Sequence, residues 1–138
     1  MLDTTSEAGR RAEQRLSSEE IAWMTTVRPD GQPQSVPVWF HWDGSLFLIY
    51  SRPGARKLKN LEVNPKINLN LNSNATGGDV VWAECDAEIV PDAPLATEVG
   101  SYLEKYRAGI QRIGFDPGGF AAAYSVAIRA TPTRWQVW

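Results

Sequence analysis

Apolar and polar residues along this chain alternate for most of its length with a period of two, the mark of strands with one face buried. Ile21 to Val27 is largely apolar and β-branched, and Arg28-Pro29-Asp30-Gly31-Gln32 closes it with an Asp-Gly hairpin signal. Gln34 to Trp42 then alternates. Val36, Val38, Phe40 and Trp42 fall on one side, and Ser35, Pro37, Trp39 and His41 on the other. After Asp43-Gly44, Leu46 to Tyr50 is continuously apolar, as in a strand covered on both faces. These three strands are expected to form a meander. Further on, Ile67, Leu69 and Leu71 alternate with three asparagines. Val81, Ala83, Cys85, Ala87 and Ile89 alternate with Trp82, Glu84, Asp86 and Glu88, and Tyr124 to Ala130 alternates again, with Arg134 to Trp138 a possible extension past Pro132.

Helical spacing is confined to short stretches. Residues 6–16 predict a weakly amphipathic helix, and the Ser17/Glu20 pair predicts a second short turn through a capping box. A helix is expected to start at Pro91-Asp92-Ala93-Pro94, with Leu95, Val99, Tyr102, Leu103 and Tyr106 on one side. Gly109 to Gly119 reads as irregular. About six short strands with tight turns predict a mainly β, antiparallel barrel or sandwich. All of it forms one domain over residues 1–138, with residues 1–20 a helical segment packed on the barrel.

Between the third and fourth strands lies SRPGARKLKNLEVNP, residues 51–65. Arg52, Arg56, Lys57, Lys59 and Lys66 fall in it or just after it, opposed locally by Glu62 alone, in a chain whose net charge is -2. On a helical wheel Asn60 lies about 40° and Lys57 about 100° from Arg56, while Ala55, Leu58 and Leu61 share the opposite side. The leucines can dock on the sheet while the polar groups converge near a helix start, a plausible phosphate site. A solvated basic face fits the same pattern.

Composition narrows the chemistry. The acidic balance argues against a nucleic-acid binder. One cysteine, Cys85, excludes an internal disulfide and reads as a core residue. No apolar run is long enough to span a membrane and no secretory segment is evident, so a cytoplasmic location is expected. His41 is the sole histidine, which leaves a His-based metal cluster or catalytic triad without material. Glu84, Asp86 and Glu88 read as a solvated strand face. The six tryptophans are core fillers or the lining of a cleft or interface.

Three features together resemble the split β-barrel flavin-binding superfamily typified by pyridoxamine 5′-phosphate oxidase. They are the strand ending in the Asp-Gly hairpin, the Pro37-Val38-Trp39-Phe40 strand, and Ser51 with Lys57, Asn60-Leu61 and Asn64-Pro65 after the third strand. Within it the short chain resembles the branch that uses the deazaflavin coenzyme F420. The resemblance implies a six-stranded antiparallel split barrel that forms a homodimer, with the cofactor in a groove at the interface. It implies an oxidoreductase transferring hydride to a small electron-poor substrate. Lys57 would grip the cofactor phosphate, with Arg56, Asn60, Ser51 and Arg52 close by, and Pro37, Val38 and Trp39 would lie along the ring system. Met24, Thr25 and Thr26 could also line the pocket, and a partner subunit could contribute Trp82 or the segment from Trp135 to Trp138. A proton donor is open among Tyr50, His41, Ser51 and water. FMN as the cofactor, or a non-catalytic cofactor or tetrapyrrole carrier, are the alternatives. No counterpart appears to the longer C-terminal region with which the vitamin B6 oxidases bind substrate.

Overall fold

A computed structural model describes all residues, Met1 to Trp138. The chain runs α1 (Glu7–Ser18), β1 (Ala22–Val27), β2 (Pro33–Val38), β3 (His41–Trp42), β4 (Phe47–Ser51), α2 (Arg56–Val63), β5 (Lys66–Leu71) and β6 (Val81–Val90). A 3-10 turn (Ala96–Glu98), α3 (Gly100–Arg112), α4 (Pro117–Ala123) and β7 (Val126–Val137) complete it. All strands belong to one antiparallel sheet in the order β2-β1-β5-β6-β7-β4-β3.

That order forces curvature. Its two edge strands, β2 and β3, are consecutive in the chain and separated only by Trp39 and Phe40. In a flat sheet the edges would stand six spacings apart, roughly 29 Å. The three steps from Val38 to His41 reach at most about 11 Å. The sheet must therefore curl until its edges meet, which makes the mainly β split barrel expected from the sequence.

The strand count is seven, not six, because Gln34 to Trp42 is not one strand. It breaks at Trp39-Phe40, where α3 competes with the ladder. The Tyr106 hydroxyl accepts from the Phe40 N–H at 2.9 Å and lies 3.1 Å from the Phe40 carbonyl oxygen, satisfying backbone that would otherwise seek a strand. The meander is also corrected: β4 pairs with β7 and β3 rather than β2. Both faces of β4 are covered as anticipated, with Phe47 and Ile49 in the barrel core and Tyr50 in a second cluster beneath α3 and α4.

Three helical readings change. Helix α1 runs through Ser17 to Ser18 and the chain is extended at Glu19, so the second turn does not form; Ser17 bonds back to Glu13 O instead. The helix expected from Pro91 begins as the 3-10 turn, and α3 starts only at Gly100. The stretch read as irregular contains the end of α3 and the start of α4, which Asp116 caps through Gly119 N–H (2.6 Å) with Pro117 next to it.

Helix α1 packs on the barrel through Ala12 and Leu16, and Trp42 Nε1 donates to Glu13 at 3.0 Å. Strand β7 runs unbroken past Pro132 because the register slips between Glu84 and Cys85 opposite it; Cys85 faces Pro132 and Glu84 faces Arg134. A proline lacking its N–H fits at such a bulge. The three strand carboxylates each meet a cross-strand cation on the outer face: Lys66–Asp86 at 2.5 Å, Arg129–Glu88 at 3.2 Å and Arg134–Glu84 at 3.7 Å. No group of His, Cys, Asp and Glu could hold a metal ion. No helix is long and apolar enough to cross a membrane.

Candidate functional site

Strand β4 delivers Tyr50 and Ser51 to the rim of the barrel, and the chain then turns through Arg52-Pro53-Gly54. Gly54 has φ +81°, a conformation other residues rarely adopt, and it turns the chain into α2. The N-cap of α2, Ala55, offers no side-chain acceptor; Leu58 N–H turns to Ala55 O at 3.0 Å, and the N–H groups of Arg56 and Lys57 stay free for an acceptor. Beside this corner opens a cleft of about 440 Å³.

Strand β2 and the residue after it give one wall, through Pro37, Val38 and Trp39; the β4–α2 corner gives Ser51, Arg52 and Lys57. Strand β2 ends the sheet's hydrogen-bonded order, so alternate backbone groups along it have no ladder partner. Helices α3 and α4 and their connection supply the opposite wall: Tyr102, Ile113, Phe120 and Tyr124. Its rings are layered. Trp39 stacks on Tyr106 (4.6 Å between centroids, 8° between planes) and on Phe120 (5.5 Å), and Phe120 stacks on Tyr124 (4.6 Å). Gly109 permits the Trp39 contact, since a Cβ there would lie 3.2 Å from the indole.

Two cations in the cleft lack counter-ions. Lys57 is half-buried with no carboxylate within salt-bridge distance, and burial lowers its pKa below the ordinary lysine value. The Arg52 guanidinium lies 4.8 Å from the Tyr124 ring centre and 6.0 Å from that of Phe115, again with no acid paired to it. Cations left unpaired beside free helix N–H groups suit an anion such as a phosphate.

The structure thus gathers six of the eight residues singled out in the sequence: Pro37, Val38, Trp39, Ser51, Arg52 and Lys57. It separates Arg56 and Asn60 from them. Arg56 is exposed on the outer side of α2. Asn60 is 1% exposed and faces the strands, its Nδ2 donating to Thr26 Oγ1 (2.9 Å) and Gln34 Oε1 (3.0 Å). The wheel placed Arg56, Asn60 and Lys57 in one sector, but β1 packs against the Asn60 edge of it. Met24 is in the barrel core, Thr25 bonds Ser35 at 2.6 Å, and Thr26 is committed to Asn60, so none of the three lines the cleft. Trp135 packs against Trp42 and Phe47.

Among the candidate proton donors, Tyr50 Oη donates to Pro94 O at 2.7 Å and Ser51 Oγ to Arg52 O at 3.0 Å. His41 lies on β3 outside the cleft lining, and burial lowers its pKa. The α3–α4 wall was not anticipated as part of a site. Its readable signal was Asp116-Pro117, a cap followed by proline, with Phe120 on the helix it starts and Tyr124 four residues on, at that helix's C-cap.

The sequence from residue 9 to 138 matches the family model described as pyridoxamine 5′-phosphate oxidase. A solved structure named F420 reductase is 26% identical, over 90% of this chain and 94% of that one, with a TM-score of 0.68. The conserved hypothetical protein Rv2991 of Mycobacterium tuberculosis is also 26% identical, over 96% of this chain and 84% of that one, with a TM-score of 0.73. HutZ, the haem storage protein of Vibrio cholerae, shares the fold at 16% identity, over 96% of this chain and 95% of that one, with a TM-score of 0.67. None of the curated proteins matches the sequence.

Proposed function

The chain belongs to the pyridoxamine 5′-phosphate oxidase family, and on that premise we propose that its cleft binds coenzyme F420 and serves hydride transfer to a small electron-poor molecule. The observation that carries this reading is the pairing, in one cleft, of two counter-ion-free cations with a layered aromatic wall. One end suits a phosphate and the other a planar ring. The likeness to a protein named F420 reductase favours the deazaflavin over FMN.

When bound, a reduced deazaflavin supplies a hydride from the carbon that stands where flavin has N5. The chain's own part is to bind, orient and exclude water. Lys57 and the free N–H groups at the start of α2 would hold the phosphate. Backbone of Val38 and Trp39 at the end of β2 would meet the polar edge of the ring system, while Pro37 offers only its carbonyl. The sole histidine and the buried Cys85 both lie outside this lining, so neither an imidazole nor a thiol would reach a ligand here.

We further propose a homodimer across the outer face of the sheet. Pro37, Trp23, Asn70, Trp82 and Gln136 stand side by side on successive strands. This row carries no charge and mixes amphipathic rings with amides, a composition favoured at interfaces. It runs into the cleft at Pro37, so a second copy seated on it would border the site.

Titration of the purified protein with coenzyme F420 and with FMN, followed by fluorescence, tests the cofactor. Saturable binding of F420 with weaker binding of FMN is expected. Retention of FMN through purification with no response to F420 would sink the deazaflavin reading.

A further inference from the structure

Helix α2 is held to the sheet in two ways. Leu58 and Leu61 sink into the barrel core, and the Asn60 amide donates to Thr26 Oγ1 at 2.9 Å and to Gln34 Oε1 at 3.0 Å. No other α2 side chain hydrogen-bonds to a strand. Apolar contact has no direction, so the leucines alone would let the helix slip or roll. The amide fixes a register. Thr26 and Gln34 face each other across β1 and β2, so one side chain grips both strands at once.

That junction works against the fold's own stability. Asn60 is 1% exposed, and its Oδ1 makes no hydrogen bond. A buried carbonyl without a partner forfeits the bond it made to water, and an apolar side chain of similar volume would carry no such loss. What the amide does secure follows from its place in the chain. Lys57 stands three residues before Asn60, and Pro37, where the β2 wall of the cleft begins, stands three residues after Gln34. The cation and the wall are thus tied to each other through this amide. Sliding α2 by a single residue would carry Lys57 about 1.5 Å along the helix axis.

We propose that Asn60 is a positioning residue of the cleft: it sets the distance between the anion grip on α2 and the wall on β2, and so selects ligands whose phosphate and ring are joined at that spacing. This rests on the phosphate-and-ring reading above. Asn60 itself touches neither part of the ligand. Lys57 and the free N–H groups travel with α2, while Pro37, Val38 and Trp39 stay with the sheet. Loosening the junction leaves each half intact and spoils their spacing, which a ligand senses only when it occupies both halves.

Asn60→Leu alone strands Thr26 Oγ1 in the core, so Thr26→Val accompanies it. The double variant replaces both buried partners by apolar groups of similar shape, a change close to neutral for folding, and the half-buried Gln34 can turn to water. Three ligands are titrated against both proteins: F420, the same deazaflavin without its phosphate arm, and inorganic phosphate. The phosphate-free deazaflavin and inorganic phosphate should each bind the two proteins within about twofold. The F420 dissociation constant should rise about tenfold in the variant, the scale of one phosphate contact. Lys57→Ala should differ by weakening inorganic phosphate as well. A double variant that binds all three ligands like the wild-type protein overturns the inference. So does one that loses the phosphate-free deazaflavin as much as F420, since that loss marks a loosened fold. A wild-type protein that binds F420 no tighter than the phosphate-free form overturns the phosphate reading instead. Amide hydrogen exchange decides without any ligand: residues 56–63 should exchange faster in the double variant while β5 and β6 keep their rates. Equal exchange in α2 would show that the leucines suffice and that Asn60 positions nothing.

Discussion

The Tyr106 hydroxyl accepts the Phe40 N–H at 2.9 Å and donates its own O–H to the Glu20 carbonyl at 2.6 Å. One phenol thereby ties α3 to the crossing between the two sheet edges and to the entry of β1. Tyr106→Phe keeps the stack on Trp39 but leaves the buried Phe40 N–H without an acceptor. A loss of about 1–3 kcal/mol of stability is expected, read as a lower urea midpoint with an unchanged slope. An unshifted midpoint would show that another group takes over the Phe40 backbone.

Lys57→Ala should spare the fold, since the amine makes no ion pair, and should weaken phosphate-bearing ligands by roughly 1.5–3 kcal/mol, about 10- to 150-fold. Arg56→Ala, on the exposed side of the same helix, should change affinity by less than about twofold, the scale of a distant screened charge. Fluorescence titrations of both variants with F420 at two salt concentrations separate them. Equal losses would return the basic helix to a general electrostatic role.

Gly109 faces the Trp39 ring, and a Cβ there would meet it at 3.2 Å. Gly109→Val should push the indole out of its stack on Tyr106 and cost about 1–3 kcal/mol. Near-ultraviolet circular dichroism should report the displaced tryptophan, and ligand affinity should fall with it because Trp39 is also a cleft wall. Retention of the native dichroism would mean that α3 gives way instead.

Lys105 Nζ donates to Phe40 O at 3.0 Å and lies 3.8 Å above the Phe40 ring. Burial lowers its pKa from 10.5 to about 8, against the opposing pull of Glu20 and Glu19. Between these values the unfolded chain holds a proton that the folded chain has released, so this group makes stability rise with pH across that window. Cys85 acts oppositely. Its thiol is pushed by burial from 9.0 to about 12, so its contribution is complete below pH 9 and is lost as pH climbs toward 12. Comparison with Lys105→Met isolates the first effect: from pH 8 to 10.5 the wild-type protein should gain on the variant in urea denaturation. Parallel curves would show that Lys105 titrates as if exposed.

Trp82→Arg places a charge in the middle of the uncharged row on the outer sheet face. Sedimentation should show a dimer for the wild-type protein and a monomer for the variant, with the fold intact because Trp82 is only half-buried. A variant of unchanged mass would move the contact elsewhere.

The strands were legible because burial on one side of a sheet leaves a period of two in the residues, as in Ile67 to Leu71. What was not legible was non-local. Nothing near Trp39 and Phe40 in sequence announces that Tyr106, 66 residues from Phe40, will break their strand. The cleft shows the same limit. Residues of β2 and of the β4–α2 corner stood out because their motifs are contiguous, and the structure gathers them. Asn60 was misplaced because a wheel gives angles within a helix but not the direction from which β1 arrives. The α3–α4 wall was overlooked because glycines at 114, 118 and 119 masked the cap at Asp116.

The segment joining the two sheet edges has a thermodynamic consequence. Trp39 belongs at once to the fastening of the barrel and to the wall of the cleft. Whatever fills the cleft therefore presses on the clasp that keeps the hoop shut. Occupancy and barrel integrity become two readings of one equilibrium, and a ligand's affinity should be legible in how late the whole chain melts.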